Sequence, residues 1–204
     1  MNSALSCVSD VSRETLEDLK ILEDLIKKWT VKINLISKSS VSDLWNRHIM
    51  DSLQLSYGKL VIDHWVDIGS GGGFPGLVLA IVSKKHPIAR KFTLIESDQR
   101  KCAFLREAKR VLSLDIEITA NRIEKVPPQN ADVLSARALA DLDTLLGFAE
   151  RHLSEQGVAF FPKGARWQSE VQLAEKNWSF HLTAHKSITD PDAAILEIKD
   201  IRRA

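Results

Sequence analysis

His64-Trp65-Val66-Asp67-Ile68-Gly69-Ser70-Gly71-Gly72-Gly73-Phe74-Pro75-Gly76 is the stretch on which the fold turns. Trp65 to Ile68 reads as a short buried strand that runs straight into glycine. Five of the chain's nine glycines fall within eight residues, from Gly69 to Gly76. Glycine here permits a left-handed backbone and close approach to a ligand. The helix expected next, Phe74 to Lys85, points its free amide donors at that ligand. A glycine loop between strand and helix is therefore a nucleotide or cofactor turn. No Gly-Lys-Ser/Thr follows, so it is not a P-loop. The dinucleotide signature G-x-G-x-x-G is met only loosely, with Phe74 where its third glycine belongs.

Downstream, strands and helices alternate. Phe92 to Ile95 is a strand ending at Glu96, and Asp98 to Leu112 a helix with Phe104, Leu105, Ala108 and Leu112 on one face. Ile116 to Thr119, Asp132 to Ser135 and Gly157 to Phe161 are further strands, and Asp141 to Leu153 a helix. This alternation predicts a parallel sheet covered on both faces. The tail breaks it. Trp178 to Ile188 and Ala193 to Ile201 read as strands joined by a loop too short for a helix, so they must run antiparallel. A mainly parallel seven-stranded sheet closed by a late hairpin is the pattern of Rossmann-like class I S-adenosylmethionine-dependent methyltransferases. Upstream, Leu16, Leu19, Leu22, Ile26, Trp29 and Ile33 recur at helical spacing behind a Ser12 N-cap. Ser42 to about Tyr57 reads as a second helix. Residues 1–60 are thus expected as an N-terminal helical extension and 61–204 as the methyltransferase domain, together one compact unit.

Composition narrows the class. Apolar residues make up 44% and charged residues 27% of 204, enough for a core and against disorder. No apolar run of membrane-spanning length occurs. No secretory signal opens the chain. Cys7 and Cys102 form no metal-type or disulfide framework. A cytoplasmic protein without metal, working as a monomer, is expected. Net charge is only +1, but Lys27 to Arg110 holds 15 Lys/Arg against 7 Asp/Glu. Such a basic middle between acidic ends suits an anionic partner or simply lysine-rich helix faces.

Glu96, at the carboxyl end of the second strand, faces the crevice of a wound sheet, where a carboxylate accepts from a ribose diol. Asp67 can hold loop amides or meet a cofactor's cationic amino group, and a purely structural role suits it equally. Ser135-Ala136-Arg137-Ala138 after the fourth strand is not the Asn/Asp-Pro-Pro-aromatic motif of exocyclic-amine methylation. Neither cysteine follows a proline there, so a covalent C5 mechanism is not expected. Arg137 suits guanine O6/N7, phosphate or a methionine carboxylate alike.

Several stretches carry a resemblance. Asn34-Leu35-Ile36-Ser37, Arg47-His48-Ile49-Met50-Asp51-Ser52, the glycine loop with Pro75-Gly76, Arg100-Lys101-Cys102-Ala103-Phe104-Leu105, Asn121-Arg122-Ile123-Glu124, Ser135-Ala136-Arg137-Ala138 and Phe161-Pro162-Lys163-Gly164 occur in this order. Together they resemble the bacterial 16S ribosomal RNA guanine-N7 methyltransferases, once called glucose-inhibited division protein B, from about Leu16 to the C-terminus. The resemblance implies methyl transfer from S-adenosylmethionine to N7 of a guanine, the family target being guanine 527 of the 530 loop. The partner it implies is 16S rRNA, free or in a 30S subunit or assembly intermediate. The alternative is methylation of another RNA, a small molecule or a protein. Cofactor binding is expected of Asp67, Gly69, Gly71, Gly73, Phe74, Glu96, Ile123, Glu124 and Arg137. Arg47 and His48 are expected to position substrate, and Asn34, Ser37, Arg100, Lys101 and Lys163 to meet RNA. Lys84, Lys85, Arg90, Lys91, Arg106, Lys109 and Arg110 are further candidates for phosphate contacts. Guanine N7 has a lone pair and no proton, so in-line attack needs no general base; alignment and electrostatics suffice.

Overall fold

A computed structural model describes residues 11–56 and 61–204. Helix α1 (Arg13–Thr30) starts where Ser12 Oγ accepts the Thr15 N–H at 3.2 Å; Glu14 lies in its first turn and Lys27 and Lys28 in its last, matching the helix dipole. Leu19, Leu22 and Ile26 are its buried stripe.

The sheet comprises β1 (Ile62–Ile68), β2 (Ala89–Glu96), β3 (Glu117–Ala120), β4 (Ala131–Ser135), β5 (Leu153–Lys163), β6 (Trp178–Lys186) and β7 (Ala194–Arg203). Their order is β3-β2-β1-β4-β5-β7-β6. The first five strands are parallel, β7 runs antiparallel to β5, and β6 antiparallel to β7. The wound sheet and late hairpin follow the expected Rossmann-like class I pattern. Its switch point lies between β1 and β4, where Asp67 pairs in register with Ser135.

Alternation along the strands splits the core in two. Trp65, Phe92 and Leu94 face α1, α3 (Gly76–Ser83) and α4 (Gln99–Val111). Val66, Ile68 and Leu134 face α5 (Leu142–His152) and α6 (Trp167–Ala174). Asp98 and Asp141 cap α4 and α5 with their carboxylates. Trp29 and Trp45 are partly buried against the first cluster, as their apolar helical faces predict.

Three expectations are corrected. Ser42 to Tyr57 is not one α-helix: a π-helical stretch, Trp45–Met50, leads into a single turn, α2 (Asp51–Leu53), and Tyr57 lies outside the described residues, as does the expected boundary at residue 60. The Arg47 carbonyl that an α-helix would pair with Asp51 N–H is taken by Arg137, and Asp51 N–H turns to the His48 carbonyl. Secondly, α6 was not expected; only Val171 and Ala174 are buried on it, too thin a stripe to read as periodicity. Thirdly, Leu153 opens β5 rather than closing the preceding helix.

Phe104 is fully buried and meets Trp29 edge-on, ring centres 5.8 Å apart, where α4 contacts α1. Phe104→Ala should cost about 3–5 kcal/mol, read as a lowered urea midpoint with an unchanged slope.

Candidate active site

Gly69 and Gly73 adopt φ of +62° and +85°. A Cβ on Gly69 would come within 2.5 Å of Leu139, and one on Gly73 within 2.2 Å of Leu77, so the loop needs both glycines for backbone and space. Beneath the loop, Asp67 is 1% exposed. Its Oδ1 accepts from Ser135 Oγ at 2.8 Å and its Oδ2 from Gly76 N–H at 3.3 Å, while Trp65 Nε1 donates to Ser135 Oγ at 2.9 Å. Burial pushes the Asp67 carboxyl up to about 6, against the pull of these donors. Glu96 closes the loop's other side. Its Oε2 accepts from Gly71 N–H at 2.8 Å, and its Oε1 from the amides of Ser97 and Asp98 at 2.7 and 2.8 Å.

Two cavities flank this loop and share Ala138 and Ala140. The smaller, about 430 Å³, is lined by Gly69, Glu96, Lys101, Asn121, Ile123 and Glu124 among others. Its wall, a 3₁₀ turn at Ile123–Lys125, is braced from behind by α5: His152 Nε2 lies 3.2 Å from the Ile123 carbonyl, and Arg151 donates to the Val126 carbonyl at 3.0 Å. The larger, about 650 Å³, is lined by Arg47, His48, Asp51, Arg137, Lys163 and the 187–195 region.

Arg137 lines the larger cavity, one residue before the shared Ala138. Its Nη1 donates to the Arg47 carbonyl at 2.9 Å and to Asp51 Oδ2 at 3.2 Å, and its Nη2 donates to His48 Nδ1. The guanidinium lies 4.9 Å from the centre of the Phe74 ring, on which His48 also stacks at 5.0 Å. His48 therefore carries its proton on Nε2. Burial, and then the cations of Arg137 and Arg47, lower its pKa to about 3, so the ring stays neutral. The next residue after Arg137, Ala138, holds a left-handed φ of 51° where the two cavities meet. Asp51 extends the network: its Oδ1 accepts from Gln54 Nε2 at 2.7 Å and Thr189 Oγ1 at 2.9 Å, and Gln54 Oε1 accepts the Ile188 N–H at 3.0 Å. The β6–β7 turn is thereby fastened to the N-terminal segment.

The family model for rRNA small subunit methyltransferase G matches residues 15–198. The chain belongs to that family. It is 53% identical over 194 residues to the ribosomal RNA small subunit methyltransferase G of Ruegeria sp. strain TM1040, covering 95% of each chain. The protein of the same name from Ruegeria pomeroyi is 52% identical, again over 95% of each. Among solved structures, M. jannaschii TYW2 in complex with AdoMet shares the fold, with a TM-score of 0.59 at 15% identity, over 86% of this chain and 80% of that one. As a member of the family, this chain is an rRNA small-subunit methyltransferase.

The sequence-predicted residues divide accordingly. Gly69, Glu96, Ile123, Glu124 and Lys101 line the smaller cavity, and Arg47, His48, Arg137 and Lys163 the larger. Gly71 meets the site through its bond to Glu96, while Gly73 shapes the turn. Phe74 is a buried platform beneath His48 and Arg137. Asn34 and Ser37 are exposed outside both cavities, although the Leu35 carbonyl passes close to Gly72. Two expected RNA contacts are already engaged. Lys163 Nζ is tied to Glu170 at 2.7 Å and to the Ala140 carbonyl at 2.8 Å, and Arg100 is bound to Asp98 at 3.0 Å. Sequence reasoning missed Asp51, Gln54, Thr189 and Asn121. Asp51 and Asn121 lay inside the quoted motifs; Gln54 and Thr189 had no local signal.

Asp67 gives a pH signature. Its folded pKa lies above the ordinary carboxylate value, so between about pH 4 and pH 6 the native state holds a proton that the unfolded chain releases. This group's contribution to stability is largest below pH 4 and falls as pH rises through 6. The stability of wild type relative to Asp67→Asn should therefore drop by up to about 3 kcal/mol between pH 4 and pH 7, measured by urea unfolding. An unchanged difference would mean that Asp67 titrates normally.

Proposed function

We propose that this protein transfers the methyl group of S-adenosylmethionine to N7 of a guanine in 16S rRNA, guanine 527 of the 530 loop, by direct in-line attack. It does so as a cytoplasmic monomer, on rRNA free or in an assembling particle. The observation that carries this reading is the pair of cavities that share Ala138 and Ala140, one suited to a nucleoside and the other, lined by Arg137, open to a large polar substrate.

The residues of the smaller cavity fit the cofactor. Glu96 keeps acceptor capacity beyond its three amide bonds and is placed for a ribose diol. Ile123 and Glu124 offer an apolar contact and an acceptor to an adenine. Asp67, largely ionised above pH 6, places a buried anion beneath the loop, favouring a cationic group above it. The cofactor supplies an electrophilic methyl group on sulfur.

In the larger cavity, His48 has a positioning role rather than exchanging a proton. His48 is neutral, and its one lone pair is occupied by Arg137, so it cannot serve as a base. That supports N7 as the target, because attack from N7 requires no proton removal. Arg47 is exposed at the mouth and available to a phosphate. The target base must be unstacked to enter, which suits a loop nucleotide.

The test is labelled-methyl transfer to small-subunit rRNA and 30S particles from cells lacking this protein, followed by nucleoside identification. The expected product is 7-methylguanosine at position 527. Label in another nucleoside, or at another guanine, would overturn the assignment. With saturating cofactor and rRNA, turnover should also show no His48-dependent limb near pH 6.5, because His48 does not protonate there, and any limb near pH 6 from Asp67 should persist in His48→Gln. A limb at that pH that vanishes in His48→Gln would assign it a proton-transfer role.

A further inference from the structure

Most cations in the most basic part of the sequence are paired in the fold, while Lys101 and exposed Arg106 on α4 have no ion pair among the described residues. Lys84 pairs with Asp18, Lys85 with Glu14, Arg90 with Asp63, Lys91 with Glu117, Arg100 with Asp98 and Arg110 with Glu107, at 2.7–3.7 Å. Lys109 donates to the Ile116 carbonyl. A paired cation presents a short-range dipole, and recruiting it to a phosphate means giving up its carboxylate.

Other cations are exposed with no carboxylate in ion-pair range among the described residues. Lys32, Lys38 and Arg47 lie in one segment, Val31 to Met50, whose only acidic residue is Asp43. That segment leaves α1, passes the glycine loop at Leu35 and reaches the larger cavity at Asp43, Asn46 and Arg47. Exposed Asn34 along it adds an uncharged donor of the kind that binds phosphate, while the Ser37 hydroxyl is engaged with Ser39 and Ser40. Across the cavity, Lys186 lines a groove of about 380 Å³ with Ala165 and Trp167, and exposed Arg166 sits between those two residues. This groove shares Ala193 and Ala194 with the larger cavity, so the two adjoin.

We propose that the backbone of the substrate RNA crosses the larger cavity from a rim of Lys32, Lys38 and Arg47 to a rim of Arg166 and Lys186, and that the basic β2–α4 edge does not hold it. The inference rests on the reading of that cavity as the rRNA site. A strand on this track has its phosphates anchored on both sides of the base that enters. Lys186 on one side leads into the turn that Thr189 and Gln54 fasten to Asp51, directly after the segment that carries Lys32, Lys38 and Arg47 on the other.

Two variants, each lacking four cations, decide the matter: Lys32→Gln/Lys38→Gln/Arg166→Gln/Lys186→Gln and Lys85→Gln/Arg90→Gln/Lys91→Gln/Arg106→Gln. Affinity for unmodified small-subunit rRNA is measured against KCl concentration, and S-adenosylmethionine affinity separately. Removing one cation that neutralises a phosphate should flatten the log–log salt slope by about 0.7–0.9, so the slope should fall by about 3 in the first variant and hardly at all in the second. Equal flattening in both, none in either, or flattening in the second alone would overturn the track. Cofactor affinity should stay at the wild-type level in both. A wild type that binds rRNA with this pattern but not S-adenosylmethionine would sink the cofactor reading and leave the track standing.

Discussion

The Arg137 guanidinium is the group on which the site depends. It follows the central strand β4, yet most of its bonds run to the N-terminal segment: the Arg47 carbonyl, His48 and Asp51. Its flat face rests against Phe74 of the glycine loop. One side chain therefore joins the N-terminal segment, the loop and the end of the sheet. Asp51 repeats the pattern one layer out, tying in the β6–β7 turn through Thr189 directly and through Gln54. With the side chains of Arg137 and Asp51 only 15% and 17% exposed, the pair resists water, and removing one partner strands the other at a cost of a few kcal/mol.

This arrangement also sets the charges. The loop lies above a buried carboxylate, Asp67, whose pKa near 6 makes it mostly an anion at neutral pH. The imidazole nearest the junction is held neutral by burial and by two arginines. The junction thus combines a buried carboxylate, a paired arginine and a neutral histidine. The Cys102 thiol is buried against the Glu96 carbonyl, and burial pushes its pKa up, away from nucleophilic use.

The framework was legible because its signals are local. A strand running into five glycines, the caps Ser12, Asp98 and Asp141, and the apolar period of α1, α4 and α5 all lie within a few neighbouring residues. What escaped was set by distant partners. Arg137 reshapes the helix at Arg47 across 90 residues of chain, so no local pattern announces the π-helical stretch. Charge counting along the sequence could not see which cations are paired: Lys84 meets Asp18 from 66 residues away, and Lys163, outside the basic middle, meets both Glu170 and the Ala140 carbonyl. The two cavities were legible in part. Gly69, Glu96 and Ile123 follow from the strand ends of a wound sheet, whereas Gln54 and Thr189 enter only through tertiary contacts.

The central claim, that Arg137 fastens the N-terminal segment and the β6–β7 turn to the sheet, is tested most directly by native-state hydrogen exchange on wild type and Arg137→Ala. The expected result is a selective loss of protection at 45–54 and at the Ile188 amide, with β1, β2 and β4 as protected as before, apart from any uniform drop in global stability. Unchanged protection at 45–54 would show that the segment is held by its apolar packing alone, and that Arg137 is not the joint.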